Sequence, residues 1–371
     1  MNERLDLSYV VPIRWRDGEQ REELAGYLAT IAADCAEVIV VDGSAPEVFA
    51  ANAAAFGEGV THLPPDEGEE CLMGKVSGVR TGVRLAACER VVLADDDVRY
   101  EPEALRRAAR LLDEHDLVRP QNYFSELPWH ARWDTARTLL NRSLGRDYPG
   151  TLAVRRSRML AMGLYDGDVL FENLELIRTV RAHGGSSVAP LDLYVARVPP
   201  SASHFWGQRI RQAYDDFALP ARMALWLALL PALALARRFG RPGGDKTALP
   251  AGAAGVAIAL AEVGRRRAGG ARVFPATSSL LAPLWVLERA VCAWLAVLQR
   301  LRFGGVRYGD SVIPLAAHSE RQLRRRLQAQ AEVVDRAGSE GGWSLNGARP
   351  RTSTESKTPA STGTWSRQSR A

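Results

Sequence analysis

Arg90-Val91-Val92-Leu93-Ala94-Asp95-Asp96-Asp97 decides how this chain is read. A short, continuous apolar run rich in valine suits a strand buried on both faces of a parallel sheet. This one stops abruptly in three carboxylates. Three like charges at a strand end repel one another unless protons or a cation relieve them, so a divalent metal ion is the natural partner. The plain alternative is a solvated acidic turn capping the helix that follows. Magnesium and manganese bind through one or two carboxylates and fill their shells with water and substrate phosphates, which points to a nucleotide diphosphate.

Working outward, Leu7-Ser8-Tyr9-Val10-Val11-Pro12-Ile13 and Glu37-Val38-Ile39-Val40-Val41-Asp42-Gly43-Ser44 read as two further buried strands. Between them, residues 20–33 place Leu24, Tyr27, Leu28 and Ile31 at the three-and-four spacing of an amphipathic helix. Residues 60–63 predict a weak strand, 76–87 a helix, and 101–115 a helix with Pro102 in its first turn. This alternation predicts an α/β fold, a doubly wound and mainly parallel sheet, whose ligand sits at the C-terminal strand ends. Pro12, Asp42 and the aspartates all fall there. Residues 118–150 read as irregular and aromatic, either an acceptor-facing region or an ordinary core segment.

Taken in order, Val10-Val11-Pro12-Ile13, Val40-Val41-Asp42-Gly43-Ser44 and Val92-Leu93-Ala94-Asp95-Asp96-Asp97 resemble the nucleotide-binding half of family-2 glycosyltransferases of the GT-A fold, over about residues 7–217. The resemblance implies an Asp-x-Asp metal motif at Asp95 and Asp97. It also implies Pro12 and Arg14 against base and ribose, Asp42 on the nucleoside, and Gly74-Lys75 near base and diphosphate. Pro149-Gly150-Thr151-Leu152 is similar to the family's small-residue segment on the acceptor side. Phe171-Glu172-Asn173-Leu174-Glu175 looks like the stretch bearing the catalytic base.

That last stretch departs from the family, where the pair is often Glu-Asp. Asparagine cannot accept the proton, so Glu172, Glu175 or Asp168 must, with Glu172 the preferred choice. His204-Phe205-Trp206-Gly207-Gln208-Arg209-Ile210-Arg211-Gln212 resembles a Gln-x-x-Arg-Trp region, with Gln208 and Arg211 in register and Gln212 in the tryptophan's place. An arginine there would stabilise charge on a leaving diphosphate, and Trp206 could stack on a sugar or base. Arg302-Phe303-Gly304-Gly305-Val306-Arg307-Tyr308 distantly resembles ceramide- and hopanoid-type glucosyltransferases, leaning the acceptor toward a lipid.

After residue 217 the composition changes. Segments 218–236, 247–263 and 274–298 are apolar, near the length that crosses a bilayer. Arg222, Pro231 and the Glu288-Arg289 pair interrupt them, so full spanning and interfacial or re-entrant packing both stay open. Arginine clusters at 237–238, 265–267 and 324–326 favour anionic partners such as phosphate or an acidic lipid surface, within a net charge of only +5. No nucleic-acid recognition motif accompanies them, and no nucleic-acid partner is expected. From residue 335 the Ser/Thr/Gly/Arg-rich sequence predicts disorder.

Four cysteines without metal-ligand spacing argue against a zinc site or a disulfide framework. With no secretory signal at the N-terminus, a reduced setting on the cytoplasmic face of the membrane is expected. The expected organisation is a catalytic domain at 1–217, a helical membrane-associating region at 218–334 and a tail at 335–371. The expected activity is a metal-assisted, inverting transfer of a sugar from a nucleotide-diphosphate sugar, a UDP-sugar by preference, to a lipid or glycan hydroxyl. Two competitors stand beside it, a nucleotidyltransferase of related fold and a catalytically weakened membrane scaffold. The first loop, Pro12-Ile13-Arg14-Trp15-Arg16-Asp17, lacks the glycines usual in the former.

Overall fold

The structure, a computed structural model, describes residues 4–18, 20–145, 147–239, 247–309 and 311–340. Its strands are β1 (Leu5–Ile13), β2 (Cys35–Asp42), β3 (Thr61–Leu63), β4 (Arg90–Ala94), β5 (Val98–Arg99), β6 (Leu117–Val118), β7 (Gln121–Phe124), β8 (Thr151–Arg155), β9 (Ser187–Val188), β10 (Tyr194–Arg197), β11 (Val306–Tyr308) and β12 (Ser311–Ile313). The main sheet has the order β3-β2-β1-β4-β8-β6-β9. Its first four strands run parallel, β8 is antiparallel to both neighbours, and β6 and β9 pair in parallel.

Alternate side chains of the central strands feed two cores, as a strand's period of two requires. Val10, Ile39, Val41, Val91 and Leu93 face one core, and Tyr9, Val11, Val38, Val40 and Val92 face the other. Helices α1 (Arg21–Asp34), α2 (Pro46–Ala55), α3 (Gly74–Leu85) and α4 (Pro102–Leu111) intervene between the parallel strands and beyond. α1 and α4 add Leu24, Leu28 and Leu105 to one core, while α3 adds Val76, Val79 and Val83 to the other. The chain is thus doubly wound around a mainly parallel sheet. α3 lies very close over β1, because a Cβ on Gly82 would stand 2.3 Å from Val10 Cγ1. That approach holds the N-terminus of α3 at the C-terminal end of β1.

The remaining helices are α5 (Trp129–Leu144), α6 (Arg156–Ala161), α7 (Glu172–Ala182), α8 (Ala202–Tyr214), α9 (Pro220–Phe239), α10 (Ala248–Arg266), α11 (Ala276–Leu280), α12 (Ala282–Phe303) and α13 (Glu320–Glu340). The reading of 118–150 as irregular is corrected: β6, β7 and the 16-residue helix α5 occupy most of it. α5 has buried residues on several faces, among them His130, Asp134, Thr138 and Arg142 beside Ala136 and Leu139. A helix buried with polar residues shows no clean apolar stripe.

Residues 1–327 form one compact unit and 328–371 a second, in which the described residues 328–340 are helical. For 341–371 the disorder expected of the tail lies outside the described residues.

Among the described residues three helices, α9, α10 and α12, are long and apolar enough to cross a membrane. α12 resolves the puzzle of its charged pair. Glu288 and Arg289 turn inward, toward α5, α8 and the turn at Asp215–Ala218, while Leu284, Leu287, Val291, Leu295 and Leu298 stand exposed on the outer face. The charges that seemed to interrupt a span are on the protein side of the helix.

Candidate active site

An open cleft of about 410 Å3 lies at the C-terminal ends of β1 and β4. β1 delivers Pro12, Ile13 and Arg14, and the turn after β4 delivers all three aspartates. The first turn of α3 adds Gly74 and Lys75, and that of α7 adds Glu172 and Asn173. α8 adds His204, Gln208 and Arg211. Pro12, Arg14, Lys75, Asp95, Asp97, Glu172, Gln208 and Arg211, expected from sequence to share a site, all line this one cleft.

Lys75 is the hub. Its ammonium lies 2.5 Å from Asp95 Oδ1 and donates to Glu172 Oε1 at 2.6 Å. Burial would lower its pKa, but the two carboxylates outweigh that and raise it, so Lys75 stays charged. Arg197, at the end of β10, donates to both oxygens of Asp97, at 3.0 Å from Nε and 2.5 Å from Nη2, and stands 3.7 Å from Asp95 Oδ2. Asp96 turns away from this group and accepts from Trp15 Nε1 at 2.6 Å. Burial raises the pKa of Asp96 in spite of that bond, and raises that of Asp97 in spite of Arg197.

The same geometry sorts the three carboxylates that could take an acceptor proton. Glu175 is fully buried and accepts from His318 N at 2.7 Å and pairs with His318 Nδ1 at 2.9 Å. Asp168 is exposed outside the cleft, where Oδ1 accepts from Leu72 N. Among the three, Glu172 alone faces the cleft. Asn173 is held by its side-chain amide, which donates to Pro149 O at 3.0 Å.

Asp42 is not brought into the cleft. Its carboxylate is buried and accepts from Ser44 N and Asn52 Nδ2 at 2.8 Å and meets His62 Nε2 at 3.0 Å. Burial would raise its pKa, but these hydrogen bonds prevail and lower it. With both oxygens hydrogen-bonded within the β2–α2–β3 corner, Asp42 shapes that corner. Trp206 likewise lies away from the cleft, half-exposed against Trp129 and Trp133.

No protein-family model matches the chain, and no curated protein matches it. Among solved structures, a mannosyltransferase from Pyrobaculum calidifontis, in complex with GDP-Man and Mn2+, is similar at 16% identity over 90% of this chain and 81% of that one, with a TM-score of 0.42. Mannosyl-3-phosphoglycerate synthase from Rubrobacter xylanophilus is similar at 14% identity over 55% of this chain and 70% of that one, TM-score 0.39. Glucosyl-3-phosphoglycerate synthase from Mycobacterium tuberculosis, with Mn2+, UDP and glucosyl-3-phosphoglycerate, follows at 16% identity, 56% and 77% coverage and TM-score 0.36. What each of them binds is a property of that protein.

Several cleft residues were not among those expected at the site. Arg197 is a lone arginine closing a four-residue strand, and its distance in sequence from the aspartates hides the pairing. Tyr308 reaches the cleft from β11, its ring 5.3 Å from the Arg211 guanidinium. Asp215 lines the cleft just beyond α8, and burial pushes its carboxyl up to about 7. A pair of adjacent aspartates after an arginine-rich helix could have flagged it.

Proposed function

We propose that the chain is a glycosyltransferase that moves a sugar from a nucleotide-diphosphate sugar to a hydroxyl of a lipid or glycan acceptor, with inversion. One observation carries the reading: residues far apart in sequence, each chosen for a role in this chemistry, converge on one cleft at the strand ends of a doubly wound sheet. The N-terminus of α3 faces that cleft, and backbone N–H groups with the helix dipole favour a phosphate there.

The donor set fits magnesium or manganese. Asp95 and Asp97 offer hard carboxylate oxygens side by side in the cleft, the donor type these ions prefer. A divalent ion held there would supply charge neutralisation on the leaving diphosphate. Pro12 and Arg14 cradle the base and ribose, and Lys75 and Arg211 face the diphosphate. Gln208 fixes the sugar or pyrophosphate by hydrogen bonding, and Glu172 takes the proton from the attacking hydroxyl. The acceptor oxygen then displaces the diphosphate at the anomeric carbon in one step.

The proposed organisation keeps catalysis within residues 1–217 and membrane contact within 218–334. The exposed apolar faces of α9, α10 and α12 support contact with a membrane, on its cytoplasmic side in this reading. Incubation with UDP- and GDP-sugars and Mn2+ tests the reaction class. The expected product is free nucleoside diphosphate; release of pyrophosphate would move the protein to the nucleotidyltransferases.

A further inference from the structure

The cleft runs on past Arg211, between the turn at Asp215–Ala218, α9 and α12, where Arg222, Trp285 and Arg289 line it. Arg289 has no task in the transfer just described. It is 3% exposed, and its Nε and Nη1 have no hydrogen-bond partner among the described residues. Its ion pair is loose, with Asp216 Oδ2 at 3.7 Å from Nη1, beyond a hydrogen bond. Asp216 is held through its other oxygen by Arg222, leaving Oδ2 without a hydrogen bond as well. The Arg289 guanidinium lies 5.1 Å from the Trp285 ring centre, which supports the cation but accepts none of its donors in the plane. Buried, open guanidinium donors are costly to keep.

The charges around this pocket lean positive. Arg211, Arg222 and Arg289 reach it from three different helices. Of the carboxylates nearby, Asp216 is already paired with Arg222, Glu288 is paired with Arg209, and burial raises the carboxyl of Asp215. A planar guanidinium fork with free donors matches an oxyanion. The outer faces of α9 and α12, which expose Leu225, Leu284 and Leu287, lie on the same helices.

We propose that this end of the cleft binds a phosphate group carried by the acceptor, with Arg289 as the principal donor and Arg222 beside it. The proposal rests on the transferase reading for the word acceptor, and on the geometry of Arg289 for the phosphate. Arg289 is a binding residue, carried by α12 where Glu172 is carried by α7 and the aspartates by the end of β4, and it sets which acceptors are taken.

The test uses the full chain in detergent, titrated with decyl phosphate, decanol and inorganic phosphate, each with Mn2+ and UDP- or GDP-sugar binding measured on the same preparation. Decyl phosphate is expected to bind about tenfold more tightly than decanol, a difference of one charge-assisted contact set. Arg289→Gln is expected to abolish that preference, Arg289→Lys to keep part of it, and nucleotide binding to be unchanged in both. Inorganic phosphate binding as well as decyl phosphate assigns the site to a small soluble phosphate compound; much weaker binding assigns it to a lipid headgroup. Equal binding of decyl phosphate and decanol by the unmodified protein overturns the proposal, whatever the variants do. So does a preference that survives Arg289→Gln in a folded protein. Loss of nucleotide binding with the phosphate preference intact would sink the transferase reading and leave the anion site standing.

Discussion

Arg209→Met is expected to cost about 3–5 kcal/mol of stability, because it removes a buried cation from two carboxylates at once. Arg209 is 2% exposed and lies between Asp134 on α5, at 2.9 Å, and Glu288 on α12, at 2.8 Å. Glu288 also accepts from Trp133 Nε1 at 3.1 Å. Burial would raise the Asp134 carboxyl, yet Arg137 and Arg209 hold it well below the usual carboxylate range, so it is charged and depends on them. Removing Arg209 leaves Asp134 to Arg137 alone and takes from Glu288 its ion pair. In a chain of this size the loss should appear as a melting temperature lower by roughly 10 °C. Adding Asp134→Asn and Glu288→Gln to Arg209→Met should recover part of it, since the uncompensated charges are then gone. A melting temperature unchanged by Arg209→Met would mean that this network does not join α8 to α5 and α12.

Glu172→Gln is expected to lower kcat for sugar transfer by about 10²- to 10⁴-fold, the usual contribution of a general base. KM for the donor should move little, because Lys75 keeps its contact with Asp95 at 2.5 Å when the glutamate charge is removed. The measurement is steady-state release of nucleoside diphosphate at saturating donor. A variant with unchanged kcat would take the base role away from Glu172 and direct attention to Asp215, the other carboxylate on that side of the cleft.

Much of the fold was legible because the C-terminal halves of β1, β2 and β4 are buried on both faces and carry runs of apolar residues. The expected strand at 90–94 matches β4 in both bounds. The site was legible for a related reason: strand ends in a doubly wound sheet point at one place, so Pro12, the aspartates and the start of α3 had to meet. What failed to show were features set by tertiary partners. Asp42 sits at a strand end as expected, but Asn52 and His62, from α2 and β3, draw its carboxylate inward. α5 was hidden because its buried surface includes Asp134 and Arg142. Arg142, fully buried, donates to Gln121, Tyr194 and the carbonyls of Leu191, Gly264 and Arg267, and no local spacing announces such a hub. The charged pair on α12 looked like a flaw in an apolar helix until its inward direction was visible.

The central claim is that Asp95, Asp97 and Lys75 form the metal-diphosphate end of a nucleotide-sugar site. Calorimetric titration of UDP and GDP, with and without Mn2+, into the full chain and into Asp95→Asn addresses it most directly. The account predicts that one of the two nucleotides binds in the presence of Mn2+, at least about tenfold more weakly without it, and with that Mn2+ dependence lost in the variant. Binding that is indifferent to Mn2+, or unchanged by Asp95→Asn, would contradict it.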